Sequence, residues 1–285
     1  NGDDNNMQNN LAYEKGGKYP QKFQEKLAKA SLNTDAISSM VLQDKKIAEV
    51  IINVVRNATD KDKTKSSDIK LSTSETQYSL KNWNRGRNVI GDFKGFCPEE
   101  NTIYGIEPQC YKQNGIYHRD RYYGAMLDAS ILKSGQDFSE LPNRCIIVLT
   151  EKDFNSNDPM IQHIKKVDLM SGNVINSGEE EIIVNLAAAT NDSELGQFIR
   201  DWTNSNPDDI KNPVLAEALR YYKSSPKGVH EMYTKWEEAQ HEDRINFVSV
   251  MLERFSPEEI ADKMGWDNNY IKTLKSEIDS KKESN

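Results

Sequence analysis

Asp92, Glu107 and Gln109 are the residues whose types and spacing can do chemistry. They lie in the stretch 88–123, NVIGDFKGFCPEENTIYGIEPQCYKQNGIYHRDRYY, which reads as a two-stranded hairpin feeding a helix. With the turn centred on Glu99–Glu100, antiparallel pairing sets Asp92 directly across from Glu107, side chains on one face. Facing carboxylates in a ladder repel unless something positive lies between them. Glu107 and Gln109 are two apart and share that face. Two carboxylates and an amide on one spot make an oxygen-rich site suited to a hard cation such as magnesium. The plainer reading is two exposed carboxylates either side of a polar turn and a surface amide, since charged strand residues ordinarily face water.

The elements that must position these residues follow from periodicity. Residues 21–31 carry a short helical pattern, and Asn33 or Thr34 is placed to cap a helix bearing Ile37 and Val41. In KKIAEVIINVVRN (45–57), Ile47, Val50, Ile51, Val54 and Val55 recur at helical spacing. The run 60–68 is a solvated loop, and residues 69–80 are extended. After the hairpin, Ile116, Tyr123, Met126, Leu127 and Ile131 fall within one apolar arc of a helix over 115–133, which Gly135 stops. On that wheel Arg119 lies beside the arc and Arg121 nearly opposite, so Arg119 is the better placed to point back at the sheet. RCIIVLT (144–150) and EEIIVNL (180–186) read as buried strands, separated by a polar excursion containing Pro159 and Gly172. From about 193 the pattern is helical, ending in a short pair over 255–278. There Ser256, Pro257 and Glu259 form a start signal and Gly265 a break. The second helix of that pair has two lysines and an acidic start, which favours packing or homo-oligomerisation over groove reading.

Composition bounds the rest. Net charge −8 argues against general adhesion to nucleic acid. Yet residues 81–121 hold seven Lys/Arg against five Asp/Glu, a local excess of positive charge. The sequence starts at Asn1 rather than Met, so further residues are expected upstream. No apolar run is long enough to span a membrane, and residues 1–17 lack a signal-peptide profile. Cys97, Cys110 and Cys145 show no CxxC spacing, and four scattered histidines complete no zinc set. Free thiols and a cytoplasmic location are expected.

The run IYGIEPQ followed by YHRDRYYGAMLDASILKSGQDFSELP resembles the PD-(D/E)XK nucleases of the recombination-promoting, transposase-associated family. The matching positions are Asp92, Ile106-Glu107-Pro108-Gln109, Arg119 with Tyr122-Tyr123, and Gly135, Phe138 and Leu141. The resemblance implies an α/β fold, a restriction-endonuclease-like mixed sheet flanked by helices with an α-helical C-terminal extension. Composition and periodicity mark a disordered tail rich in Asn, Asp and Gly (1–20), a helical extension (201–254) and a helical pair with a tail (255–285), and the resemblance makes 21–200 a nuclease-like core. It also implies a magnesium-dependent DNA endonuclease in which manganese substitutes. By that analogy Asp92 and Glu107 hold the metal, Gln109 stands where the motif usually has Lys, and Arg119 contacts a DNA phosphate. Asp35 is a further candidate for the acidic residue some of these nucleases carry on the first helix, though Ala-Ile-Ser follows it where the family has Phe-Lys. Pro108 suits only an edge strand or a bulge, and Gly91, Gly95 and Gly105 stand where β-branched residues are expected. These four positions favour the alternative, a catalytically degraded core serving DNA recruitment or protein interaction.

Overall fold

A computed structural model of the chain describes residues 19–60, 68–82, 86–112 and 114–283. The tail up to residue 18, most of the 60–68 loop and Arg85 lie outside the described residues. The chain is α/β, with a six-stranded mixed sheet flanked by helices and more helices towards the C-terminus. It forms two compact units, Lys29–Tyr222 and a second made of residues 1–28 with Lys223–Asn285.

Helix α1 (Gln21–Lys29) lies in the second unit except for its last residue, and the first unit then carries α2 (Asp35–Val41) and α3 (Lys45–Thr59). Thr34 is the N-cap of α2 but makes no side-chain cap bond; its hydroxyl instead accepts from the Ser31 N–H. The sheet comprises β1 (Thr73–Leu80), β2 (Val89–Cys97), β3 (Thr102–Gln109), β4 (Asn143–Thr150), β5 (Ile161–Ile164) and β6 (Glu179–Asn185), in the order β1-β2-β3-β4-β6-β5. The first three strands are antiparallel; β3, β4 and β6 are parallel; β5 runs antiparallel on the outer edge. Parallel neighbours need a crossover, and between β3 and β4 it is α4 (Ile116–Ile131). Both faces of the middle strands are covered, which explains their unbroken apolar sequences. Ile146, Val148 and Ile183 pack with Ile116, Tyr123 and Leu127 of α4. The alternate residues Ile147, Leu149, Ile182 and Val184 are equally buried on the other face. Strand β5 lies inside the polar excursion between the two apolar strands. At four half-buried or exposed residues it carries no apolar run to announce it.

Two departures from strand-like sequence have packing causes. A Cβ on Gly91 would lie 2.4 Å from the Tyr78 ring. A Cβ on Gly105 would lie 3.0 Å from Ile146 Cδ1 and 3.2 Å from the Tyr123 hydroxyl. Large aromatic rings from β1 and α4 take the space that β-branched residues would fill. Pro108 sits in an interior strand rather than at an edge. The β2–β3 ladder ends at Phe93↔Ile106, so the donor that Pro108 lacks falls past the last pair on that side.

After α5 (Glu194–Thr203) and α6 (Pro213–Ser224), the second unit contains α7 (Pro226–Met251), α8 (Pro257–Met264) and α9 (Asn268–Glu283). Phe23 is buried there, edge-on to Tyr233 at 5.2 Å. A Ser256–Glu259 capping box starts α8, and left-handed Gly265 ends it. The apolar residues of this pair, Ile260, Ala261, Ile271, Leu274 and Ile278, pack with Ile245 and Val248 of α7. Among the described residues no helix is long and apolar enough to cross a membrane.

Gly105→Val tests the packing account. Forcing a branched side chain against Tyr123 and Ile146 should destabilise the protein by about 1–3 kcal/mol, measured by urea denaturation.

Candidate active site

Strand alternation and the β2–β3 register decide where the carboxylates point. The pairs run from Cys97↔Thr102 to Phe93↔Ile106; the same offset sets Asp92 opposite Glu107 one step beyond the ladder. There a side chain replaces the backbone partner: the Asp92 N–H donates to Glu107 Oε1 at 3.0 Å. Gly105 lies under Tyr123 of α4, so Glu107 and Gln109, two and four residues on, face the same helix. Both are buried, 3 % and 4 % exposed, whereas Asp92 is half-buried.

Arg119 answers them from the first turns of α4. Its Nη1 donates to Gln109 Oε1 at 2.9 Å, and its Nη2 lies 3.5 Å from Glu107 Oε2. Neither Asp120 nor Glu140 is its ion-pair partner. The guanidinium remains partly exposed, so it bridges the buried pair and still reaches solvent. Arg121 is exposed. Three residues past Arg119, the Tyr122 hydroxyl accepts from Asn82 Nδ2 and donates to the Arg87 carbonyl, at 2.9 and 2.6 Å. This ties both ends of the β1–β2 connection to α4, while Tyr123 is core.

The electrostatics are those of an under-compensated acidic site. Burial pushes the Glu107 carboxyl well above the ordinary carboxylate range, and the Asp92 charge pushes it further. The Asp92 N–H and Arg119 pull the other way without cancelling the rise. Asp92 is also raised, by burial first; hydrogen bonding from Gln77 and the charge of Arg119 lower it, and Asp35 raises it. Asp35, in the first turn of α2, therefore adds negative charge to the same neighbourhood. Cys110, whose thiol donates to the Asn33 carbonyl, is pushed up to about 12, chiefly by burial and then by Asp35. It stays a thiol at neutral pH.

Among the described residues no three His, Cys, Asp or Glu side chains converge as a closed metal cage. The donors present, two carboxylates beside an amide whose oxygen already accepts from Arg119, fit magnesium nonetheless. That ion keeps several waters and takes only one or two carboxylates, with substrate phosphate completing its shell. A cation there would also relieve the repulsion that raises Glu107 and Asp92.

Two participants escaped sequence reasoning. Gln77 of β1 donates from Nε2 to Asp92 Oδ1 at 2.9 Å; nothing in a weak strand pattern marks it. Asp120 is 3 % exposed, and among the described residues its Oδ2 has no hydrogen-bond partner. Burial, then Glu181, pushes it up to about 7. Its signal was present, because 116, 120, 123 and 127 trace the buried stripe of α4.

A carboxyl raised on folding contributes full stability below its unfolded pKa, near 4, and loses it as pH rises through the folded value. The protein should therefore lose stability between about pH 4 and pH 7, and Asp120→Asn should lose measurably less over that window. Urea midpoints at pH 4.5 and 7.5 provide the check. No protein-family model, curated protein or solved structure matches this chain, so its function is argued from this geometry.

Proposed function

We propose that the chain is a metal-dependent phosphodiesterase that cuts DNA, with a restriction-endonuclease-like core of the PD-(D/E)XK type. The observation that carries this reading is the buried Glu107 carboxylate held against Asp92, on one face with Gln109 and Arg119. Asp92 and Glu107 would hold magnesium, or manganese in its place. A bound divalent ion supplies positive charge to a phosphoryl oxygen and lowers the pKa of a coordinated water.

The side chains divide the remaining work. Gln109 gives its oxygen to Arg119, which leaves Nε2 to orient a water or a phosphate oxygen; an amide cannot accept the water's proton. Arg119 fixes Glu107 and Gln109 with one edge of its guanidinium and offers the remainder to a phosphate. Gly91 and Gly105 have packing reasons and Pro108 lies past the last β2–β3 pair, so they do not argue for a degraded core.

Charge distribution supports a polyanionic substrate over a small molecule. Lys81, Arg87 and Lys112 flank the strand ends at the site and Arg121 lies on the outer face of α4; all four are exposed and make no ion pair among the described residues. At the opposite end the cations are paired: Arg56 with Glu100 and Glu180, Arg144 with Asp128 and Glu179, Lys165 with Glu180, Lys166 with Glu179. Uncompensated cations beside an acidic centre are what a phosphate backbone needs in order to approach it.

The test is nicking of supercoiled plasmid with magnesium or manganese. The parent should nick only with metal, and Asp92→Ala and Glu107→Ala should each lose ~100-fold or more, beyond the loss from an outer-shell change. No nicking by folded parent protein, or undiminished nicking by both variants, rejects the proposal.

A further inference from the structure

The strand beside Asp92 is broken at one residue. Strand β1 pairs with β2 through Thr76↔Phe93 and again through Tyr78↔Gly91, but the intervening pair, Gln77 with Asp92, is missing from the ladder. Gln77 has φ 48 there, in the left-handed region that residues other than glycine seldom adopt. Glycine or asparagine would meet that backbone at less strain. What glutamine adds is reach: its Nε2 donates to Asp92 Oδ1 at 2.9 Å. A strained conformation filled by a residue whose side chain makes a specific contact points to that contact as the reason for it.

The contact completes a frame around the carboxylate pair. On one side of β2, Gln77 holds Asp92 Oδ1; on the other, the Asp92 N–H holds Glu107 Oε1. Arg119 then holds Gln109 Oε1 and approaches Glu107 Oε2. Among the described residues Asp92 Oδ2 accepts no hydrogen bond, so it is the oxygen left for a ligand. A neutral amide suits this work: it fixes the carboxylate without neutralising the charge a cation would need. Lysine or arginine at position 77 would compete with that cation.

We infer that Gln77 is a positioning residue: its side-chain amide, presented by the break in β1, orients the Asp92 carboxylate for a divalent cation. This rests on the metal-binding reading above and adds a residue that neither the hairpin nor the nuclease resemblance identifies.

The experiment is a thermal melt of the full chain titrated with magnesium chloride alone, for the parent, Gln77→Ala and Gln77→Gly. Both variants lose the amide, but only glycine is at ease in the left-handed backbone. Gln77→Gly should therefore melt no lower than the parent without metal, and Gln77→Ala lower than Gln77→Gly. The magnesium midpoint should nonetheless rise about 10-fold or more in both, the size of effect expected when an outer-shell partner is lost. A parental midpoint in either variant overturns the inference, and a parental midpoint in Gln77→Gly alone would assign position 77 to the backbone rather than the amide. A parent whose melt answers neither magnesium nor manganese rejects the metal site itself, and Gln77's role with it.

Discussion

Glu107 is a carboxylate taken out of water without full compensation, and the arrangement around it depends on that constraint. A buried charge is tolerated only when paired and hydrogen-bonded. Glu107 has one backbone N–H and a half-exposed guanidinium at 3.5 Å, and it faces a second carboxylate. The ion pairs of buried Arg144 are closer. Arg144 sits 3.0 Å from Asp128 and 2.7 Å from Glu179, and Gly124 leaves the room its guanidinium occupies. The same fold thus gives Arg144 two close carboxylates and leaves Glu107 short. Strongly perturbed groups in that condition gather where chemistry is done.

The topology makes this possible. Three parallel strands end together at Gln109, Thr150 and Asn185, and the antiparallel hairpin brings Asp92 to the same end. The crossover helix returns over that face and delivers Arg119 to the pair, while Asp120 faces the buried stripe. Close packing sets the distances: glycine under Tyr78 and under Tyr123 lets two aromatic rings lie against the sheet. The site is therefore mounted on strands and a packed helix, elements rigid enough to hold hydrogen-bond geometry.

Much of this was legible in the sequence. A four-residue turn at 98–101 leaves the hairpin one register, and with it the facing of Asp92 and Glu107. The continuous apolar runs of β4 and β6 read as buried strands, and both faces are covered. The illegible parts are tertiary. No local pattern announces β5, whose residues are half-exposed at a sheet edge, or says that Gly105 answers to a tyrosine eighteen positions later. The left-handed backbone at Gln77 and the contact of its side chain with Asp92 leave no mark in the strand pattern. Arg119 was legible as facing the sheet, but not as the partner of Glu107 and Gln109 together.

The most direct measurement compares the metal-free stability of the parent and Glu107→Gln at neutral pH, by chemical denaturation. Glutamine keeps the shape and can still accept from the Asp92 N–H, but it removes the repulsion with Asp92. If Glu107 is held short of compensation to receive a cation, the variant will be the more stable protein without metal, and magnesium will no longer raise its melting temperature. A less stable variant would mean that the Arg119–Glu107 pair is a structural ion pair, and that the site was never built around a cation.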